Sequence, residues 1–134
     1  MKVFKESTIV TPNKPGKLAQ ALRAVANAGV NLIAIDSSSG YDLNMVRLVT
    51  SDPARARWGL EKLGYNVTES AVLGVTVSDK PGQLARIASI FSKSHVNIEY
   101  MYASAAAYDQ PAMVIVHVAD AELAEKVLRA AKIA

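Results

Sequence analysis

Apolar residues recur along this chain with two different periods. Val3 to Val10 and Val72-Leu73-Gly74-Val75-Thr76-Val77 are short runs rich in β-branched residues, which predicts strands. The period then changes. Leu18, Ala21, Leu22 and Val25 lie three and four residues apart, as on one face of a helix, and so do Leu84, Ile87, Ala88 and Phe91. The first helix is expected to begin at Pro15, with Asn13 or Lys14 just outside it, because proline in a first turn gives up an N–H that has no partner there. Gly29 stops that helix as a left-handed residue, and His95 stands at the matching place after the other. Further strands are expected near Val30 to Ser37, Leu43 to Thr50, Val96 to Ala103 and Ala112 to Val118. Asp52 and Asp120 cap two more helices, whose apolar stripes are Ala56, Gly59, Leu60 and Leu63, and Ala124, Val127, Leu128 and Ala131.

These elements form a repeat. Asn13-Lys14-Pro15-Gly16-Lys17-Leu18-Ala19 returns as Asp79-Lys80-Pro81-Gly82-Gln83-Leu84-Ala85, an offset of 66 (13 to 79), and Val30-Asn31-Leu32 returns as Val96-Asn97-Ile98. Further on the offset is 68 (Asp52 to Asp120), so the second copy gains two residues near Ala105-Ala106-Ala107. Two domains follow, residues 1–70 and 71–134, with no Gly-, Ser- or Pro-rich linker between them. Each reads strand, helix, strand, strand, helix, strand. That order gives an α+β unit of the ferredoxin-like (βαββαβ) kind, with an antiparallel sheet and both helices on one face. The second copy runs out after its last helix, so its final strand is missing or supplied by another segment such as the long first strand. Met113 and Ile115 alternate with Val114 and Val116, which makes both sheet faces apolar. The non-helical face is therefore expected to pack on the other copy or on a second chain.

Composition narrows the functional classes. Of the 134 residues 51% are hydrophobic and 20% charged, which argues against disorder. No apolar run is long enough to span a membrane, and the start lacks the apolar core of a signal peptide. Cysteine is absent, so disulfides and thiolate chemistry are excluded. A cytoplasmic protein is expected. The net charge of +3 is scattered, and neither Leu43 to Val49 nor Ala112 to Val118 carries the aromatic residues an RNA-binding sheet needs, so no nucleic acid is expected. Tyr100 and Tyr102 are expected to pack under the helices. Trp58 is expected to be a partly buried indole on a helix decorated by Arg55, Arg57 and Lys62. His95 and His117 have no metal-ligand spacing, and no serine elbow, phosphate-binding loop or dinucleotide fingerprint occurs. No catalytic residue, metal or cofactor is expected. An acylphosphatase-type activity would need an arginine in the loop from Thr11 to Leu18, which has none.

The repeated loop carries the remaining chemistry. A strand runs into Asn/Asp-Lys-Pro-Gly and then a helix, whose start exposes unpaired N–H groups suited to a small anion such as a carboxylate. Gly16 and Gly82 let a ligand approach the backbone. Asn13 and Asn31 supply donors and acceptors, and Asn31, at a sheet edge, can meet a ligand held on the loop of a neighbouring domain. In the second copy Asp79 and Asn97 take these places, and a carboxylate at 79 suits an ammonium. The same residues also fit a purely structural reading, as helix-start and strand-end chemistry.

The pattern D/N-x-P-G-x-L followed by G-V-N-I/L resembles the ACT domain. It stands here as Asn13 to Leu18 with Gly29-Val30-Asn31-Leu32, and again as Asp79 to Leu84 with His95-Val96-Asn97-Ile98. Ile98-Glu99-Tyr100-Met101-Tyr102 resembles the small stand-alone tandem-ACT proteins in particular. The resemblance implies a non-enzymatic regulatory protein, probing the level of a small-molecule amino acid held between paired domains. The ligand contacts it implies are Asn13, Gly16, Leu18 and Asn31, then Asp79, Gly82, Leu84 and Asn97. It also implies a homodimer and a regulated enzyme encoded separately. Thr11 and Val77 stand where serine-binding members carry a histidine, so serine is not implied. The alternative is a protein–protein interaction module with degenerate ligand sites.

Overall fold

The computed structural model of the chain describes residues 1–78, 80–104 and 110–133. Asp79 and the expected insertion near Ala105-Ala106-Ala107 lie outside the described residues. The elements are β1 (Lys2–Pro12), α1 (Lys17–Asn27), β2 (Leu32–Gly40), β3 (Leu43–Thr50), α2 (Pro53–Glu61), β4 (Thr68–Val77), α3 (Gln83–Lys93), β5 (Tyr100–Ala103), β6 (Ala112–His117) and α4 (Ala121–Ala130). They form two compact units. The first is Lys5–Ser70, and the second is Ala71–Ala134 together with Met1–Phe4. Each unit is α+β, with antiparallel strand pairing.

In the first unit β3 is flanked by β1, from Glu6–Val49 to Pro12–Leu43, and by β2, from Leu32–Thr50 to Gly40–Leu43. Alternate residues Ile9, Val46 and Leu48 face Ala21 and Val25 of α1 and Ala56 and Leu60 of α2, and these form one buried core. Both helices thus lie on one face of the sheet, as the stripe spacing predicts. A Cβ at Gly59 would stand 2.9 Å from the Ala24 carbonyl oxygen, so only glycine lets α2 cross α1 this closely.

The second unit repeats the plan. Leu73, Val75, Val114 and Val116 pack against Ile87, Phe91, Ala124 and Leu128. The start of the chain adds a strand to this unit: Met1–Phe4 belongs to it, β1 lies beside β4, and Met1 and Val3 pack against this core. On the other face Phe4 lies over Gly74, where a Cβ would meet the ring at 2.5 Å.

The caps form as expected. Asp52 Oδ1 accepts from Arg55 N–H at 3.2 Å and Asp120 Oδ1 from Leu123 N–H at 3.0 Å. Gly29 (φ 75°) and His95 (φ 56°) both take left-handed conformations.

Several expectations are corrected. α1 begins at Lys17 instead of Pro15, because Gly16 sits at φ 86°, outside the right-handed helical region. Leu63 and Leu84 are 44% and 39% exposed and Ala88 is exposed, so the stripes they belong to are narrower than their spacing suggests. Trp58 is 58% exposed, with Lys62 over its ring. Tyr100 and Tyr102 do not lie under the helices. Met101 between them joins the helical core, while the two rings face the other way and Tyr100 stacks on His117 at 4.6 Å. Strand alternation forces that choice once Met101 faces inward.

Candidate functional site

In the first unit the repeated loop follows β1 and is bound to the β2–β3 turn. Asn13 donates its backbone N–H to Asp42 O at 2.7 Å and its carboxamide to Ser39 Oγ at 3.2 Å and Tyr41 O at 2.9 Å, and its Oδ1 accepts from Asn44 Nδ2 at 3.3 Å. The Asn13 side chain is thereby committed to the fold. Beyond it Gly16 takes φ 86° and α1 starts with no side-chain cap. Gln20 N–H reaches Gly16 O at 3.0 Å, which leaves the amides of Leu18 and Ala19 without an acceptor among the described residues.

In the second unit the corresponding loop opens onto a cleft of about 290 Å³. Val77 and Ser78 come from the end of β4, Gly82 and Leu84 from the start of α3, and Ala112 and Val114 from β6, with Lys80 and Gln110 also lining it. Gly82 takes φ 89° and again no side chain caps the helix. Arg86 N–H bonds Gly82 O at 2.9 Å, and the amides of Leu84 and Ala85 have no acceptor among the described residues. The cleft therefore combines amides that have no acceptor among the described residues with an aliphatic floor.

The two asparagines lie elsewhere. Asn31 exchanges backbone bonds with Ser51, donating to its Oγ at 3.0 Å and accepting from its N–H at 2.9 Å, while its carboxamide stays exposed without a partner among the described residues. That places Asn31 beside Thr50, at the far end of β3 from Leu43 and the Asn13 loop. At roughly 3.3 Å per residue the length of β3 separates them by about 23 Å. Asn97 likewise precedes β5 at the His117 end of β6, whereas Gly82 lies near the Ala112 end. Within each unit the loop residues and the strand asparagine do not converge, and Asp79 lies outside the described residues.

Thr11, Ser7 and Thr50 are buried on one face of the sheet, and their hydroxyls have no partner among the described residues. Among the described residues no group of three or more His, Asp or Glu is placed to hold a metal ion, and no helix is long and apolar enough to cross a membrane.

Residues 1–134 match the family described as an ACT domain pair. The chain belongs to that family. Solved structures share its fold. The chain is 29% identical to protein BT0572 from Bacteroides thetaiotaomicron, with a TM-score of 0.89, 98% of this chain and 90% of that one being covered. The regulatory subunit of aspartate kinase from Thermus thermophilus, in its ligand-free form, superposes with a TM-score of 0.72 at 20% identity over 98% and 96% of the two chains. That from Thermus flavus gives 0.62 at 24% identity over 96% and 92%. No curated protein sequence matches the chain. This ACT pair thus has two units of one plan, a loop in the first fastened by its own asparagine and a loop in the second that borders an open cleft.

Proposed function

We propose that this ACT pair is a regulatory module that binds an amino acid, with the cleft beside Gly82 as its principal site. The cleft itself carries the reading. The amides of Leu84 and Ala85 suit a carboxylate, which also gains from the dipole of α3. Asp79 supplies the counter-charge for the ammonium. Val77, Ala112, Val114 and Leu84 offer an apolar floor, which favours a small aliphatic side chain over a charged one. Because Asn97 lies at the far end of its own unit, an asparagine completes the site only from another unit, which we take to belong to a second copy of the chain in a homodimer. The first unit's Gly16, Leu18 and Asn31 form a second, lesser site of the same kind, from which the Asn13 side chain is withdrawn. The chain performs no chemistry and acts on a separately encoded enzyme, in the cytoplasm. A ligand biases such a module only through its different affinity for two arrangements.

The committed bonds of Asn13 favour one other reading, an interaction module whose ligand sites have decayed. Thermal-shift titration against the common amino acids separates the two. A true ligand at 100 times its Kd adds about 2.7 kcal/mol to stability. No shift with any amino acid sinks the ligand-binding reading and leaves the interaction module.

A further inference from the structure

Trp58, Gly59 and Leu63 break the internal repeat in a place where it is otherwise kept. α2 and α4 are capped alike by Asp52 and Asp120. Ala56 and Ala124, and Leu60 and Leu128, are all fully buried at matching positions. Gly64 and Lys132 both take positive φ just past the helix ends, at 90° and 62°. The positions that build the unit are copied. The partners of Trp58, Gly59 and Leu63 at the same offset are Lys126, Val127 and Ala131. The fold of such a unit therefore does not require an indole at the first of these positions or a large apolar side chain at the last.

What these residues build is a surface feature. Trp58 is 58% exposed and Leu63 44% exposed. They flank a groove of about 260 Å³ floored by Ala24, Ala28 and Gly59. Lys62 Nζ lies 4.1 Å from the centroid of the Trp58 ring, which holds the indole from one side by a cation–π contact. An exposed tryptophan beside an apolar groove is the kind of residue that anchors protein interfaces.

The side-chain charge around the groove is mainly positive. Arg57 is engaged by Glu61 and Glu69, with the Glu61 hydrogen bond first and the Glu69 one second in raising its pKa above the ordinary guanidinium value. The Asp52 carboxylate stays at the start of α2, where it accepts from the Arg55 amide. α1 contains no carboxylate, only Lys17 and Arg23. Arg55 lies one turn before Trp58, and Arg23 one turn before Asn27, which also lines the groove. Arg23, Arg55 and Lys62 have no ion pair among the described residues. A symmetric contact between two copies through this face would set these cations against one another, which disfavours a second copy of the chain as occupant.

We propose that the groove between α1 and α2 is the docking site for an acidic segment of a partner protein, which inserts one bulky apolar side chain beside Trp58. Trp58 is the sole tryptophan, so its fluorescence reports occupancy directly. The test is selection of a random peptide library on the full chain, followed by fluorescence titration of synthetic winners. The expected winners are acidic, carry a large apolar residue and shift the Trp58 emission. Their affinity should fall with added salt and be about tenfold weaker for an Arg55→Glu/Lys62→Glu variant, whose tryptophan still reports. Trp58→Lys, which installs the residue of the other unit, should lose binding by calorimetry while its far-UV spectrum is kept. Neutral or basic winners, equal binding to both variants, or no enrichment overturns the proposal. So does a wild-type dimer that Trp58→Lys converts to monomer, or emission that responds only to anionic phosphatidylserine vesicles.

Discussion

Asn13 and Ser39 are joined by a 3.2 Å hydrogen bond from carboxamide to hydroxyl across 26 residues of sequence. The bond fastens the loop before α1 to the β2–β3 turn, and two more bonds from the same side chain, with Tyr41 O and Asn44, reinforce it. The Asn13 side chain thus ties the loop to the turn. Its neutral hydrogen bonds are exposed, so each contributes at the low end of about 0.5–1.5 kcal/mol.

Asn13→Ala should therefore destabilise the first unit by about 1–2 kcal/mol, mainly through the lost carboxamide bonds. Urea denaturation measures this. The amino-acid response proposed for the Gly82 cleft should be unchanged. A lost response with unaltered stability would return Asn13 to the role of a ligand contact.

Gly16→Ala and Gly82→Ala make a matched pair. Both glycines sit near φ 88°, at 86° and 89°, and neither has an atom within 4 Å of where a Cβ would stand. The cost to each is backbone strain without a clash, roughly 1–2 kcal/mol. Equal losses of stability are expected. Only Gly82→Ala, which adds a methyl group at the rim of the cleft, should also weaken amino-acid binding. If Gly16→Ala alone abolishes it, the first unit holds the principal site.

The caps offer a simpler comparison. Asp52→Ala and Asp120→Ala each remove one side-chain bond to a first-turn amide, at 3.2 Å and 3.0 Å. Each should cost about 1 kcal/mol, measured by denaturation, and Asp→Asn should restore most of it, because the carboxamide oxygen still accepts. A cost near zero for either would mean that solvent satisfies that helix end equally well.

Local physics made much of this molecule readable in advance. The helix caps at Asp52 and Asp120, the left-handed stops at Gly29 and His95 and the core stripe of α1 all depend on neighbours within a few residues, and the repeat shows each of them twice. What was hidden depends on distant partners. Nothing near Asn13 in sequence shows that Ser39 and Asn44 will claim its side chain. Nothing between Tyr100 and Tyr102 shows which face Met101 will take, because strand alternation fixes the relation of the three but not its sign. The loop at each helix start was readable, but the bonds that tie the first one to the β2–β3 turn were not, since they are tertiary.

The supply of a strand to the second unit by Met1–Phe4 has a direct test at Gly74. A Cβ there would lie 2.5 Å and 2.9 Å from ring atoms of Phe4 and 3.1 Å from Met113 Sδ. Gly74 is buried, and its neighbours Leu73 and Val75 are fixed in the core, so the strand has little room to yield. Gly74→Ala should destabilise the protein by about 1–3 kcal/mol through overpacking. Phe4→Leu should relieve much of that cost, because the smaller side chain vacates the position the new methyl group needs. The two substitutions should therefore couple favourably in a double-mutant cycle, by about 0.5 kcal/mol or more. Thermal denaturation of the four proteins supplies the cycle. Strict additivity would mean that Phe4 does not lie on Gly74 in solution, and the assignment of the chain start to the second unit would fall with it.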